Sequence, residues 1–197
     1  MLANVLGIDT GLGGGLSLCG GAGHLLRVWP TPTKRVEGRE RIDWAGLSRV
    51  LGEIAGGGQC EVALEQVRAF AKRSGGSTFV MASTSTMLEN SGVYKYLLAE
   101  AGLPVSLYFP EEWQRSYRDA IKAAENLQSE APTADVGVAR RVMNRNARKK
   151  IATGEVAHAF WPVAGERFGK DWNSGTWEAA LIARHHALAL RERNEKG

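Results

Sequence analysis

Acidic side chains close or interrupt two apolar segments that lie far apart in the chain. Asp9 ends the segment NVLGID, residues 4–9, and a turn rich in glycine follows it. Glu65 lies inside the apolar segment CEVALEQV, residues 60–67. Burying an unpaired carboxylate is costly, so acids in such positions are usually paired or bind a metal ion.

Each of these acids also has a purely structural explanation. Asp9 could accept hydrogen bonds from its own turn, as in an Asx-turn. Glu65 could form a buried ion pair with Arg68 or Lys72. If the two strands are adjacent, however, the carboxylates of Asp9 and Glu65 approach each other. Two such charges repel unless a divalent cation lies between them.

A third polar group lies where an apolar helix begins, in GKDWNSGTWEAALIARHHAL, residues 169–188. If this helix packs against the sheet, Glu178 faces the same point as Asp9 and Glu65. Asn173 lies five residues earlier, close enough to share a cation. Oxygen donors that converge from separate segments indicate a two-metal nuclease centre. Mg²⁺ or Mn²⁺ fits such a centre because no thiolate or imidazole cluster accompanies the acids.

His185 and His186 lie further along the same helix. We expect them to be surface or hydrogen-bonded core histidines rather than ligands.

Positive charge is concentrated between residues 140 and 150. The chain has a formal net charge of +4. This window of eleven residues contains no acid and six bases, namely Arg140, Arg141, Arg145, Arg148, Lys149 and Lys150. Such a block favours a polyanionic partner. Its structural alternative is the solvated face of a helix.

Further basic residues flank the acidic segments. The sequence RAFAKRSGG, residues 68–76, directly follows the Glu65 segment. Its Phe70 could stack on a nucleic-acid base or wedge between bases, or simply pack in the core. The candidates for DNA contacts outside the basic block are Lys34, Arg35, Arg39, Arg41, Arg68, Phe70, Lys72 and Arg73.

The order of the predicted elements is three strands, a helix, a strand, a helix, a strand and then helices. Because the first three strands are close in sequence, an antiparallel meander is the economical pairing. We expect helices over 43–56, 83–102, from Pro110, over 139–152 and over 176–193, with strands at 60–67 and 104–109. The prediction is an α/β chain forming one domain, 1–197, with an insertion around 115–148.

Composition excludes several classes of protein. No apolar run reaches the length of about 18 residues that predicts a membrane span, and the N-terminus lacks the pattern of a signal peptide. Cys19 and Cys60 are the only cysteines, which gives neither a disulfide framework nor a zinc motif. We therefore expect a protein of the cytoplasm.

Taken together, the three acidic segments resemble those of the RuvC-type Holliday junction resolvases. The matching stretches are VLGIDTGLGGGLSL, VALEQVRAF and WNSGTWEAALIARHH, in the order and spacing of that family. The nearest likeness is to its phage and chloroplast-type branch. ARKKIATGEVAHAFWP resembles the basic segment of that branch. The resemblance covers most of the chain except about 118–140.

This resemblance implies an RNase H-like fold, with a five-stranded mixed sheet of three antiparallel strands and then parallel ones, flanked by helices. It implies that Asp9, Glu65 and Glu178 are catalytic metal ligands for two Mg²⁺ or Mn²⁺ ions. It also implies nicking of four-way DNA junctions that leaves 5′-phosphate and 3′-hydroxyl ends. A homodimer, with an interface on the helix around 87–98, is implied in the same way. No membrane and no small-molecule cofactor is expected.

Asn173 departs from the family pattern, since an aspartate is expected there. An amide supplies a neutral oxygen and binds a cation more weakly than a carboxylate does. Three explanations stay open. Asn173 could replace a catalytic aspartate in an inactivated variant, Asp171 could act as the ligand instead, or asparagine could be native to the site.

Other functions fit parts of the same sequence. GIDTGLGGG also resembles the first phosphate loop of actin-like sugar kinases, but a kinase needs a second phosphate loop and a second lobe, for which 197 residues leave no room. A phage nuclease that trims branched DNA or flaps in general would show the same motifs. A non-catalytic junction-binding protein becomes an alternative if Asn173 is native.

Overall fold

A five-stranded mixed sheet forms the centre of the molecule. The computed structural model describes residues 3–66, 71–74, 77–80, 82–130 and 145–196. The sheet has the strand order β3-β2-β1-β6-β9. Its strands are β1 (Asn4–Asp9), β2 (Gly15–Cys19), β3 (Leu25–Pro30), β6 (Cys60–Glu65) and β9 (Val105–Tyr108).

The pairing of these strands is the predicted one. β1 pairs antiparallel with β2, and β2 antiparallel with β3. β6 pairs parallel with β1, and β9 parallel with β6. The predicted fold class, with three antiparallel strands followed by parallel ones, is confirmed. Because β1 and β6 run in the same direction, their carboxyl ends meet at one edge of the sheet.

Helices cover both faces of the sheet. On one face lie α1 (Trp44–Gly56) and α2 (Ala82–Glu100), where Leu47, Leu51 and Tyr94 pack on Leu6 and Leu64 of the strands. The other face carries α3 (Pro110–Arg115), α4 (Arg118–Glu130), α5 (Arg145–Phe160), α6 (Ala164–Phe168) and α7 (Ser174–Lys196). A short 3-10 turn, Gly169–Asp171, precedes α7.

Alternation along the strands separates the two cores. Leu6 and Ile8 of β1 face α1 and α2, whereas Val5 faces the α7 side. In β6, Val62 and Leu64 likewise face α1 and α2, and Ala63 faces α7. Because side chains alternate in a strand, Asp9 and Glu65 belong to the α7 side.

Some predicted elements differ in the structure. The segment around Lys34 and Arg35, for which no strand was predicted, forms an exposed hairpin of β4 (Thr33–Val36) and β5 (Arg39–Ile42). Its turn places Glu37 and Gly38 at φ values of 51° and 75°, as a two-residue hairpin turn requires. A second hairpin, β7 (Ala71–Ser74) with β8 (Ser77–Val80), follows β6.

The helical region after β9 is also divided differently. The helix predicted from Pro110 is split into α3 and α4, and α4 packs against α5 inside the predicted insertion. The predicted end of the basic helix, at residue 152, was wrong, because α5 continues to Phe160. Gly154 lies inside α5 without ending it. Glycine is required there because a Cβ would overlap the Trp177 ring of α7. Residues 139–144 lie outside the described residues.

In the described residues, no helix is long and apolar enough to cross a membrane.

Candidate active site

Asp9 lies at the carboxyl end of the central strand β1. The backbone N–H of Gly11 donates a hydrogen bond to Asp9 Oδ1 at 3.3 Å, which is the hydrogen bond of the Asx-turn alternative. A Cβ at Gly14 would overlap the carbonyl oxygen of Asp9, so the turn can close only with glycine there. The tight turn fixes the orientation of the Asp9 carboxyl group.

Glu65 ends β6, directly beside Asp9. The register that pairs Ile8 with Leu64 brings the two strand ends together. The indole Nε1–H of the fully buried Trp113 donates a hydrogen bond to Glu65 Oε1 at 3.0 Å. Burial raises the pKa of Glu65 to about 8, and the neighbouring charges of Asp9 and Glu178 act in the same direction.

Glu178 reaches the same point from α7. This helix packs directly on β1, because a Cβ at Gly7 would overlap the carbonyl oxygen of Ala179. The carboxyl groups of Glu178 and Asp9 form a hydrogen bond. Burial first, and then the charge of Asp9, raises the pKa of Glu178 to about 7. The pKa of Asp9 is also raised by burial.

The structure therefore brings Asp9, Glu65 and Glu178 together on the α7 side of the sheet edge. Three partly buried acids with raised pKa values repel one another when ionised, which is the electrostatic pattern of a functional site. In the described residues, no group of three or more His, Cys, Asp and Glu side chains has the arrangement of a finished metal site.

The donor set nevertheless fits a hard divalent cation. All three acids offer carboxylate oxygens, which Mg²⁺ and Mn²⁺ prefer. A divalent cation held between the acids would remove the repulsion between them. Asp9, Glu65 and Glu178 are thus the residues that would hold it.

Asn173 has a different set of contacts. Its Oδ1 accepts hydrogen bonds from the backbone N–H groups of Gly175 at 3.1 Å and Thr176 at 3.4 Å, as the residue before α7 does when it caps a helix. Asp171 contributes its carbonyl oxygen, which accepts the Thr176 hydroxyl at 2.8 Å. The polar cluster predicted as part of the metal site therefore caps α7. A ligand role for Asn173 stays a prediction.

Lys149 and Lys150 lie next to the carboxylates. The charge of Lys150 lowers the pKa values of Asp9 and Glu178, and that of Lys149 lowers the pKa of Glu65, each against the larger effect of burial. Lys149 Nζ donates to Gln114 Oε1 at 2.6 Å. Both side chains are exposed, so they can meet a phosphate that approaches the acids.

The remaining predicted DNA contacts are only partly described. Lys34 and Arg35 are exposed on β4, and Lys34 Nζ lies 3.6 Å from Asp43 Oδ1. Arg68, Phe70 and Arg141 lie outside the described residues. The backbone is described for Lys72 and Arg73, in β7, and for Arg145 and Arg148, in α5.

The two histidines are hydrogen-bonded, as predicted. His186 is fully buried. Its Nδ1 lies 2.7 Å from the Tyr108 hydroxyl, and its Nε2 lies 3.1 Å from Glu61 Oε2. His185 Nδ1 lies 2.9 Å from the hydroxyl of Ser116. None of these contacts involves Asp9, Glu65 or Glu178.

The sequence prediction missed Trp113 and Gln114, which connect α3 to Glu65 and Lys149. One available signal was a tryptophan within the otherwise polar segment PEEWQR. A large aromatic residue there indicates a buried helix face.

Comparison with known proteins shows the fold. No model of a known protein family matches the chain, and no curated protein matches it in sequence. A solved structure of Thermus thermophilus RuvC in complex with a Holliday junction substrate is similar, with 18% identity, 96% of each chain covered and a TM-score of 0.51. A second T. thermophilus RuvC structure has 17% identity, 96% coverage of each chain and a TM-score of 0.46. The chain shares the fold of the first.

Proposed function

We propose that the protein is a structure-specific DNA endonuclease that resolves four-way junctions. The observation that carries this proposal is the meeting of Asp9, Glu65 and Glu178 at one edge of the sheet. The RuvC-like fold supports it. The expected reaction is a pair of metal-dependent nicks that leave 5′-phosphate and 3′-hydroxyl ends.

The acids would act as ligands for two Mg²⁺ or Mn²⁺ ions. When bound, such ions activate a water for in-line attack on phosphorus and neutralise the leaving oxygen. The three carboxylates supply negative charge and a fixed geometry. The hydrogen bond from Trp113 to Glu65 holds one of these carboxylates in a single orientation, which leaves less reorganisation for the reaction itself.

Lys149 and Lys150 would hold the phosphate. Their positive charges reach the acids, so a phosphate bound there would face the lysines on one side and the metal ions that the acids would hold on the other. In the same role we include the basic residues predicted from the sequence: Lys34, Arg35, Arg68, Lys72, Arg73, Arg141, Arg145 and Arg148, with Phe70 as a stacking residue.

A homodimer would place two such sites on the two strands that a four-way junction presents for cutting. α2 supplies a candidate interface. Tyr94 and Leu98 of this helix are buried in the chain's own core, whereas Leu88 and Tyr96 are 38% and 61% exposed. Light scattering coupled to chromatography tests this part, and a strict monomer would contradict paired incision.

The main experiment is a nicking assay on synthetic four-way, three-way, flap and linear DNA with Mg²⁺ or Mn²⁺. Preference for the four-way junction supports a resolvase. Equal cutting of three-way and flap substrates would favour the broader branched-DNA nuclease of a phage. No cutting of any substrate in either metal would contradict a nuclease for the chain as it stands.

Asn173 is tested in the same assay. We include the proposal that asparagine stands here in place of a catalytic aspartate and impairs cleavage. Asn173→Asp restores cleavage if that is so. If the protein and this variant are both inert in Mn²⁺ yet bind junctions, a non-catalytic junction-binding protein is the better description.

A further inference from the structure

A cleft of about 380 Å³ opens beside the candidate active site, between α3, α4 and α5. We call it the α4 groove. Its charged and polar lining residues are Glu111, Gln114, Arg115, Arg118, Lys122, Glu125 and Lys149, and its apolar lining residue is Ile121. Four of these side chains are cationic and two are anionic, so the groove has a surplus of positive charge.

The groove shares a side chain with the surroundings of the acids. Lys149, whose charge acts on Glu65 and Glu178, lines the groove and donates to Gln114. Trp113, the neighbour of Gln114, donates to Glu65. The groove therefore lies beside the carboxylates, where a DNA strand bound at the acids would reach it.

Helix α4 presents cations along its outer side. Ile121 and Ala124 are buried against the core, whereas Arg118 and Lys122 are exposed. These two residues are one helical turn apart, a rise of about 6 Å. Because one strand of a duplex carries a phosphate for about every 3.4 Å of helix axis, two cations at this spacing can contact different phosphates of one strand.

The two cations are also available. In the described part of the chain, neither Arg118 nor Lys122 forms a salt bridge. The packing of α4 on α5 holds them in place. Exposed cations that form no salt bridge with the described residues, and that lie beside a site for phosphate chemistry, are the expected footprint of a nucleic-acid backbone.

We propose that the α4 groove binds the sugar-phosphate backbone of the DNA strand on one side of the scissile phosphate, with Arg118 and Lys122 as phosphate contacts. The proposal rests on the proposed function for the identity of the polyanion. Lysine and arginine on phosphates read charge and not base identity, so the groove sets the position of the strand without sequence preference.

The test compares binding of a four-way junction and a linear duplex by fluorescence anisotropy across a salt series, in EDTA so that nothing is cut. Arg118→Ala with Lys122→Ala should reduce the slope of log K against log salt by about 2 for both substrates. The matched control removes two charges at the far end of α7, through Arg193→Ala with Lys196→Ala, and should leave the slope unchanged.

The charge-preserving pair Arg118→Lys with Lys122→Arg should keep the wild-type slope. If it loses the slope as the alanine pair does, the effect comes from altered packing and the groove proposal is overturned. It is also overturned if the alanine pair behaves like the control.

Failure of the proposed function looks different. If the protein cuts no DNA in any metal but the alanine pair lowers the salt slope, the groove proposal stands and the nuclease proposal fails. If the protein cuts junctions but the alanine pair leaves the salt slope unchanged, the nuclease proposal stands and the groove proposal fails.

Discussion

Strand β6 carries two glutamates on its α7 side, and their surroundings are opposite. Glu61, at the start of the strand, meets His186, which in turn meets Tyr108. Glu65, at the end, lies among Asp9 and Glu178, and burial with these like charges raises its pKa to about 8. One glutamate of this strand face thus has a hydrogen-bonding partner of matching character, whereas the other faces like charges.

The difference separates a structural polar cluster from a functional one. Donors and acceptors that match stabilise the packing of α7 on the sheet. Like charges destabilise it, and a fold keeps such a cluster where chemistry requires it. Variants of the two ends should accordingly affect different measurements.

The largest effect is expected for Glu65→Gln. In an active background, which is Asn173→Asp if the chain itself is impaired, loss of one ligand carboxylate should reduce the cleavage rate by at least about 10²–10³-fold, while junction binding changes little. Glu61→Gln is the matched control, since it removes the same charge from the same strand face. It should retain cleavage at temperatures where the protein is folded. Comparable losses of cleavage in both variants would contradict a structural role for Glu61 and a ligand role for Glu65.

The converse change is His186→Ala. It removes the partner of Glu61 and Tyr108 and leaves a buried gap, so the free energy of unfolding should fall by about 2–4 kcal/mol. Denaturant unfolding measures this loss. The cleavage rate of the folded variant should stay near that of the wild type, and a selective loss of rate would give His186 a catalytic role.

Stability should depend on pH in opposite ways at the two ends. Because the pKa values of Glu65 and Glu178 are raised to about 8 and about 7, the folded state in EDTA binds protons that the unfolded state has released. These acids therefore lower stability as pH rises from about 4.5 to about 8. Mg²⁺ or Mn²⁺ should counteract that loss.

The pKa of His186 is lowered, chiefly by burial. Its contribution is therefore complete above the ordinary pKa of histidine, about 6.5, and is lost as pH falls below it. Thermal melting from pH 5 to pH 9 separates the two trends. Glu65→Gln should reduce the loss of stability that accompanies rising pH. If a steep loss persists in this variant without metal, Glu65 is not its cause.

A smaller effect is expected at the phosphate side of the site. Lys149→Ala with Lys150→Ala should weaken DNA binding about equally for all sequences and reduce the salt slope by about 2. Anisotropy titrations measure it. An unchanged slope would move the DNA surface away from the acids.

The smallest effect concerns the helix cap. Asn173→Ala removes the acceptor for two backbone N–H groups and should cost about 1 kcal/mol of stability, whereas Asn173→Asp keeps the cap. Equal stability of both variants in denaturant unfolding would show that the cap contributes little.

The antiparallel pairing of the first three strands could be predicted because they lie close in sequence. The parallel strands, and with them the meeting of the three acids, were implied by the resemblance, since the residues alone left open whether the two acidic strands are adjacent. It could not predict that Trp113 donates to Glu65, since that contact joins residues 48 positions apart. Nor did it show that Asn173 caps α7, because capping residues and metal ligands are drawn from the same side-chain types.

The β4–β5 hairpin could have been found. Glu37-Gly38 lies between two short segments of alternating character, which is a hairpin signal. The length of α5 was harder, because glycine usually lowers helix propensity. At Gly154 the close approach of Trp177 outweighs that penalty.

The site joins residue 9 to residue 178, and this has a consequence for synthesis. The strand that bears Asp9 leaves the ribosome long before α7 does. Since Glu178 arrives only with α7, a nascent chain that stops short of this helix carries no assembled set of acids. Chains ending before Ser174 should therefore be unable to cleave DNA by the proposed reaction.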